Sequence, residues 1–164
     1  MAQSVHVIDY TALQDRGVLV LAFDVDLTLG PMGCSTLDTP TAALLHSMMH
    51  FGEFEKILLG SNSSRDMSQI TSIFDGIAVS PGGEVRKKPH TSFFEAVHSA
   101  AGNYHPREIA YIGDKLLWDT SPAGEYGFVT VLVNPLGKDL LTERIVLRRA
   151  RERRHLRRLG IERP

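Results

Sequence analysis

Cysteine is almost missing from this 164-residue chain, with Cys34 its only representative. A single thiol excludes an internal disulfide framework and fits a reducing compartment. No neighbouring pattern marks Cys34 as the nucleophile of a cysteine enzyme. Long apolar runs are missing too. The longest uninterrupted one is the six residues from Val18 to Phe23, far short of the roughly 20 that span a bilayer. The opening residues Met1-Ala2-Gln3-Ser4 carry neither basic side chains nor an apolar core. No signal peptide is therefore expected, and the expected location is cytoplasmic. His46 and His50 have the spacing of paired helical metal ligands, but the glutamate of a His-Glu-x-x-His site is absent, so they read as surface histidines. Pro81-Gly82-Gly83 lacks the spacing and the terminal Lys-Ser/Thr of a P-loop and reads as a turn. The chain also has no internal repeat, low-complexity tract or interdomain linker.

What is present is ordinary in amount and uneven in placement. The hydrophobic share is 43% and the formal net charge −1, as in a soluble globular domain. The length suits about one domain with a three-layer α/β core. The small net charge conceals a segregation. Residues 1–142 carry a net charge of −7, whereas residues 143–164 hold nine arginines against three glutamates. The chain thus divides into a domain, 1–142, and an Arg-rich tail, 143–164. Such a tail points to an anionic partner, a membrane surface ahead of nucleic acid. Leu141, Ile145, Leu156 and Leu159 fall near one helical face, interrupted by Glu152. That suits electrostatic contact better than deep insertion.

Strands and helices alternate along the sequence. Strands are expected over 18–25, 56–60, 77–79, 109–112 and 128–133, and helices over 40–51, 65–74, 91–101, 117–126 and 139–158. This alternation predicts a doubly wound parallel sheet with right-handed crossovers. The first strand ends abruptly in Asp24-Val25-Asp26-Leu27-Thr28, and the fourth runs into Gly113-Asp114 with Asp119 five residues on. In such sheets ligands collect at the carboxyl ends of the strands. Carboxylates gathered there repel one another unless a cation or a shared proton compensates. Three or four hard oxygen ligands favour Mg²⁺ over zinc.

Two further pieces lie between the acidic clusters. Ser61-Asn62-Ser63-Ser64 follows the second strand and precedes a helix, where a hydroxyl and free N–H groups can cradle phosphate. Arg86-Lys87-Lys88-Pro89 precedes the third expected helix and can aim a fixed cation at a phosphoryl group. Lys88 adjoins the proline, with Lys87 as the alternative. The gaps from Asp26 to Ser61 and from Ser64 to Lys87 each hold about one helix with a short flap or strand. Neither has room for a cap domain. Gly30-Pro31-Met32-Gly33 is the expected flap.

The order Asp24-x-Asp26-x-Thr28, Ser61-Asn62, Lys88-Pro89, Gly113-Asp114-x₄-Asp119 resembles the four motifs of the haloacid dehalogenase superfamily. The resemblance runs from about Leu19 to Pro135. In detail, Ser61-Asn62-Ser63, Lys87-Lys88-Pro89, Ile112 to Asp119 and Val131 to Leu136 look like the phosphatidylglycerophosphate phosphatase branch of bacteria and mitochondria. Two departures stand out. Leu27 occupies a place where that branch usually has asparagine, and Thr142-Glu143-Arg144-Ile145 stands where an Asn-Arg pair is common. The resemblance implies a Rossmann-like haloacid dehalogenase fold of the uncapped, subclass III-like type. It implies Asp24 as nucleophile through an aspartyl-phosphate, Asp26 as general acid and base, and Mg²⁺ on Asp24, the Asp26 carbonyl and Asp114. Ser61, Asn62 and Lys88 would hold the phosphate, with Lys88 also acting in catalysis. Asp119 would orient Lys88 or a metal-bound water, and Thr28 would stand behind the site. The leading expectation is a Mg²⁺-dependent phosphatase of phosphatidylglycerophosphate, peripheral at the inner membrane face. The alternatives are a soluble phosphatase of a sugar phosphate, nucleotide or polynucleotide end, and a non-catalytic nucleic-acid-binding module using the Arg-rich tail. An oligomeric partner supplying a lid is a further expectation.

Overall fold

Five short apolar segments pair in parallel to form one sheet in the order β3-β2-β1-β4-β5. The strands are β1 (Val20–Phe23), β2 (Lys56–Gly60), β3 (Ile77–Val79), β4 (Ile109–Gly113) and β5 (Val129–Leu132). The computed structural model describes residues 1–137 together with Ala150, Arg154, Leu156 and Arg157. The helix expected over 139–158 therefore lies outside the described residues, those four excepted; Leu156 is buried and Arg154 and Arg157 are exposed.

Alternation along the strands builds two cores, because successive side chains of a strand point to opposite faces. On one face Leu21, Phe23, Ile57, Leu59, Ala110 and Ile112 pack with α1 (Tyr10–Gln14), α2 (Thr39–His50) and α3 (Ser68–Thr71). On the other, Val20, Ala22, Leu58, Ile109 and Tyr111 pack with α4 (Thr91–Ala101) and α5 (Ser121–Tyr126). The result is the three-layer doubly wound α/β architecture that the alternation predicts. The segments joining β1 to β2 and β2 to β3 carry only a flap, α2 and α3, so no cap domain is inserted at either place.

Three elements differ from expectation for local reasons. β1 stops at Phe23 rather than running to Val25, because the N–H groups of Thr28, Leu29 and Gly30 all turn back onto the Val25 carbonyl. α3 is shorter than the expected 65–74. Asp66 accepts hydrogen bonds from the Ser68 N–H at 2.8 Å and from its hydroxyl at 2.9 Å, which delays the helix start. The fourth expected helix opens instead as a π-turn, Leu116–Thr120, before α5 begins. The sequence reading also passes over α1, a short helix whose Asp9 cap accepts from the Ala12 N–H at 2.9 Å.

Candidate active site

Strand polarity brings the motifs together. β1 lies between β2 and β4, and the chain leaves β1 toward opposite edges of the sheet, first through β2 and β3 and later through β4 and β5. That is the topological switch point, where a crevice opens at the carboxyl ends. Asp24 stands one residue past β1, Ser61 one past β2 and Asp114 one past β4, while Lys88 lies between β3 and α4.

Lys88 is the centre of the arrangement. Its ammonium donates to Asp24 Oδ1 at 2.6 Å, Asp119 Oδ1 at 2.6 Å, the Tyr111 hydroxyl at 3.0 Å and the Gly60 carbonyl at 3.1 Å. The residue is 3% exposed, whereas Lys87 faces solvent. Of the two adjacent lysines, Lys88 is therefore the one inside the site. Burial alone would lower its pKa, but the Asp119 and Asp24 carboxylates outweigh that and hold it well above the usual lysine range. Lys88 stays a cation.

Its backbone is held as firmly as its head. The Asn62 side chain accepts from the Lys88 N–H at 2.7 Å and donates to the Lys88 carbonyl at 3.2 Å. The Asn62 side chain is thus spent on positioning the lysine, which the resemblance did not assign to it. Ser61 is buried, and its hydroxyl accepts from the Ser63 N–H at 3.2 Å. Thr28 donates to Asp24 Oδ2 at 3.3 Å.

Two glycines permit the close approaches. A Cβ on Gly113 would fall 2.6 Å from that of Asp119, and one on Gly60 would fall 2.8 Å from the Tyr111 hydroxyl. The bare Gly60 leaves room for the Tyr111 hydroxyl, and the bare Gly113 lets Asp119 fold back over β4. There Asp119 Oδ2 accepts from the Lys115 N–H at 3.0 Å, and the π-turn supplies the loop that this closure needs.

Asp24, Asp114 and Asp119 can each place a carboxylate oxygen within 4.8 Å of the others, all three buried. Burial pushes Asp24 up against the pull of Lys88, and pushes Asp114 up to about 7 against the pull of Lys115. A buried all-oxygen donor set, short of positive charge, suits a hard divalent cation. Asp24 and Asp119 share Lys88, and Asp114 meets Lys115, so the three carboxylates together form the cluster that could hold a metal ion.

The side chain of Asp26 stands apart from this cluster. It forms a bidentate ion pair with Arg65, at 2.9 and 2.8 Å, and accepts from the flap Gly33 N–H at 2.7 Å. Leu27 next to it takes a left-handed φ of 68° while fully buried, a conformation that asparagine adopts at lower cost. Arg65, Tyr111 and Lys115 are site residues that sequence reasoning missed. Arg65 pairs across 39 positions, a distance at which no local pattern signals a contact. Tyr111 had a faint signal, as the one hydroxyl-bearing ring in an otherwise apolar strand. Burial raises the Cys34 thiol pKa against the influence of Arg65, which keeps it a poor nucleophile. His46 and His50 are exposed and stack on each other with centroids 5.6 Å apart.

No known family profile matches the chain, and no curated protein sequence matches it. Solved structures do. An uncharacterized protein from Listeria monocytogenes serotype 4b aligns with TM-score 0.57 and 17% identity, over 76% of this chain and 85% of that one. YfnB from Bacillus subtilis, described as a HAD-hydrolase and bound to magnesium, aligns with TM-score 0.51 and 18% identity, over 65% of this chain and 49% of that one. A HAD phosphatase from Thermococcus onnurineus aligns with TM-score 0.52 and 19% identity, over 65% and 50%. A 2-haloacid dehalogenase from Pseudomonas syringae pv. tomato aligns with TM-score 0.52 and 13% identity, over 77% and 91%. The chain therefore has the fold of haloacid dehalogenase-type hydrolases, and spans about half the length of the second and third of these relatives.

Proposed function

We propose that this protein is a Mg²⁺-dependent phosphomonoester hydrolase that works through an aspartyl-phosphate on Asp24. The observation that carries the proposal is the buried Lys88 ammonium bridging Asp24 and Asp119 beside Asp114, at the switch point of the sheet. A phosphatase and a dehalogenase both occur among the structural relatives. The three-carboxylate pocket favours phosphoryl transfer, because it suits the divalent cation that offsets charge between a carboxylate nucleophile and a phosphate dianion.

Asp24 would attack phosphorus while Lys88 keeps its carboxylate aimed and neutralises charge on the transferring group. Ser61 and backbone N–H groups at the end of β2 would hold the non-bridging oxygens. Asp26, held at the flap by Arg65 and Gly33, would protonate the leaving oxygen and then deprotonate the water that releases phosphate. Mg²⁺ on Asp24, Asp114 and the Asp26 carbonyl would supply electrostatic stabilisation of that transfer.

The substrate we favour is the phosphate headgroup of a membrane phospholipid, phosphatidylglycerophosphate, met at the inner membrane face. Two features support it: a site without an inserted cap, and nine arginines in residues 143–164. The test is a panel of phosphate esters comprising that lipid in vesicles, sugar phosphates, nucleotides and polynucleotide ends, alongside an aryl phosphate. Turnover of the aryl ester is expected with Mg²⁺, and is expected to vanish with excess chelator or with Asp24→Asn, since an amide cannot form the phosphoenzyme. Full activity in either condition rejects the mechanism. Preference for a soluble ester over the lipid rejects the substrate.

A further inference from the structure

Two lysines serve the three clustered carboxylates, and they are held in different ways. Lys88 has four oxygen atoms within 3.1 Å of its ammonium and is 3% exposed. Lys115 places its ammonium 3.0 Å from Asp114 Oδ1, yet its side chain keeps 28% exposure while that of Asp114 has none. Lys115 also has an anchored backbone. Its N–H donates to Asp119 Oδ2 at 3.0 Å, and its carbonyl accepts from the Asp119 N–H at 2.8 Å. Its side chain can therefore leave the pocket for solvent without moving the loop that holds Asp119. Lys88 has no such exit.

An ammonium and a divalent cation on the same buried carboxylate repel strongly, because the low effective dielectric leaves their charges poorly screened. Lys88 shares its charge between Asp24 and Asp119 and stays in place, so the repulsion is relieved by the lysine that can leave, Lys115. We infer that Lys115 is a built-in counter-ion for Asp114, which the divalent metal must displace into solvent in order to bind. The inference rests on the metal reading of Asp24 and Asp114 given above, and adds regulation to it. Metal-free protein keeps Asp114 neutralised by its own side chain. Metal affinity is set below what the carboxylates alone would provide, so occupancy follows the free cation concentration.

Mn²⁺ binding to the full, chelator-treated chain tests this without any phosphate ester, with free Mn²⁺ read by electron paramagnetic resonance and Mg²⁺ added as competitor. Lys115→Met and Lys115→Gln remove the charge at a partly exposed position, and circular dichroism checks that each variant is folded. Losing one charged hydrogen bond from the metal-free state should tighten Mn²⁺ binding by about tenfold in both variants. The exposed Lys87→Ala should bind as the unaltered protein does, and Asp114→Asn should bind little. Equal or weaker Mn²⁺ binding by the folded Lys115 variants, with Asp114→Asn still deficient, overturns the inference and leaves the metal reading standing. Failure of every form to bind Mn²⁺ removes the metal reading, and the inference falls with it.

Discussion

A buried ammonium is tolerated only when carboxylates surround it, and Lys88 meets two of them at 2.6 Å. Removing the cation leaves Asp24 and Asp119, both buried, facing each other without it. Breaking one side of such a buried arrangement costs about 3–5 kcal/mol. Lys88→Met should therefore lower unfolding stability by about that amount and abolish hydrolysis of an aryl phosphate. Its neighbour Lys87 faces solvent, where a lone charge contributes little, so Lys87→Ala should leave both nearly unchanged. Urea melts and initial rates on the two variants check the contrast. Equal effects would place the working cation elsewhere. The adjacent lysines have the same chemistry, and the one whose backbone Asn62 grips is the one inside the site.

At the scale of elements, α2 carries its own start signal. α2 begins at Thr39-Pro40 behind Asp38, whose side chain accepts from the Thr41 N–H at 2.9 Å. Those hydrogen bonds from Thr41 hold the Asp38 carboxyl below its usual range. A folded-state pKa below the unfolded one gives stability that is present above about pH 4 and is lost as pH falls through the folded value. Asp38→Ala should cost about 1 kcal/mol at neutral pH. The gap from the unaltered protein should start to close below about pH 4. Urea melts at pH 7, 4 and 3 measure that gap; a gap independent of pH would show that the carboxylate charge is irrelevant to the cap. Other element boundaries were set from outside the element. The π-turn at Leu116–Thr120 follows from Asp119 folding back over Gly113, which no helical periodicity announces.

For the whole molecule, the open crevice and the charge segregation bear on the same question. Among the described residues no helix is long and apolar enough to cross a membrane. Contact with a lipid surface would then fall to the arginines of residues 143–164, each worth about 1 kcal/mol near an anionic leaflet. Binding to anionic vesicles should be tight at low salt and weaken steeply as the Debye length shrinks. Deleting residues 143–164 should suppress vesicle binding and turnover of the lipid while sparing the aryl ester. Leu156 is buried, so the shortened protein must first show a cooperative melt. Unchanged lipid turnover and vesicle binding would leave the tail without a membrane role.

The sequence by itself determined the α/β class, the parallel sheet, and the placement of Asp24, Ser61 and Asp114 at strand ends. These follow from short apolar runs, which bury on both faces and stop where polar residues begin. It also marked Lys88 and Asp119 through the spacing shared with known motifs. What only the tertiary structure decided are partnerships between distant segments: Arg65 with Asp26 across 39 positions, Asn62 with the Lys88 backbone across 26, and Lys88 with Tyr111 across 23. Such contacts depend on which strand ends become neighbours. The strand order fixes that, and periodicity along one segment carries no record of what the sheet will set beside it.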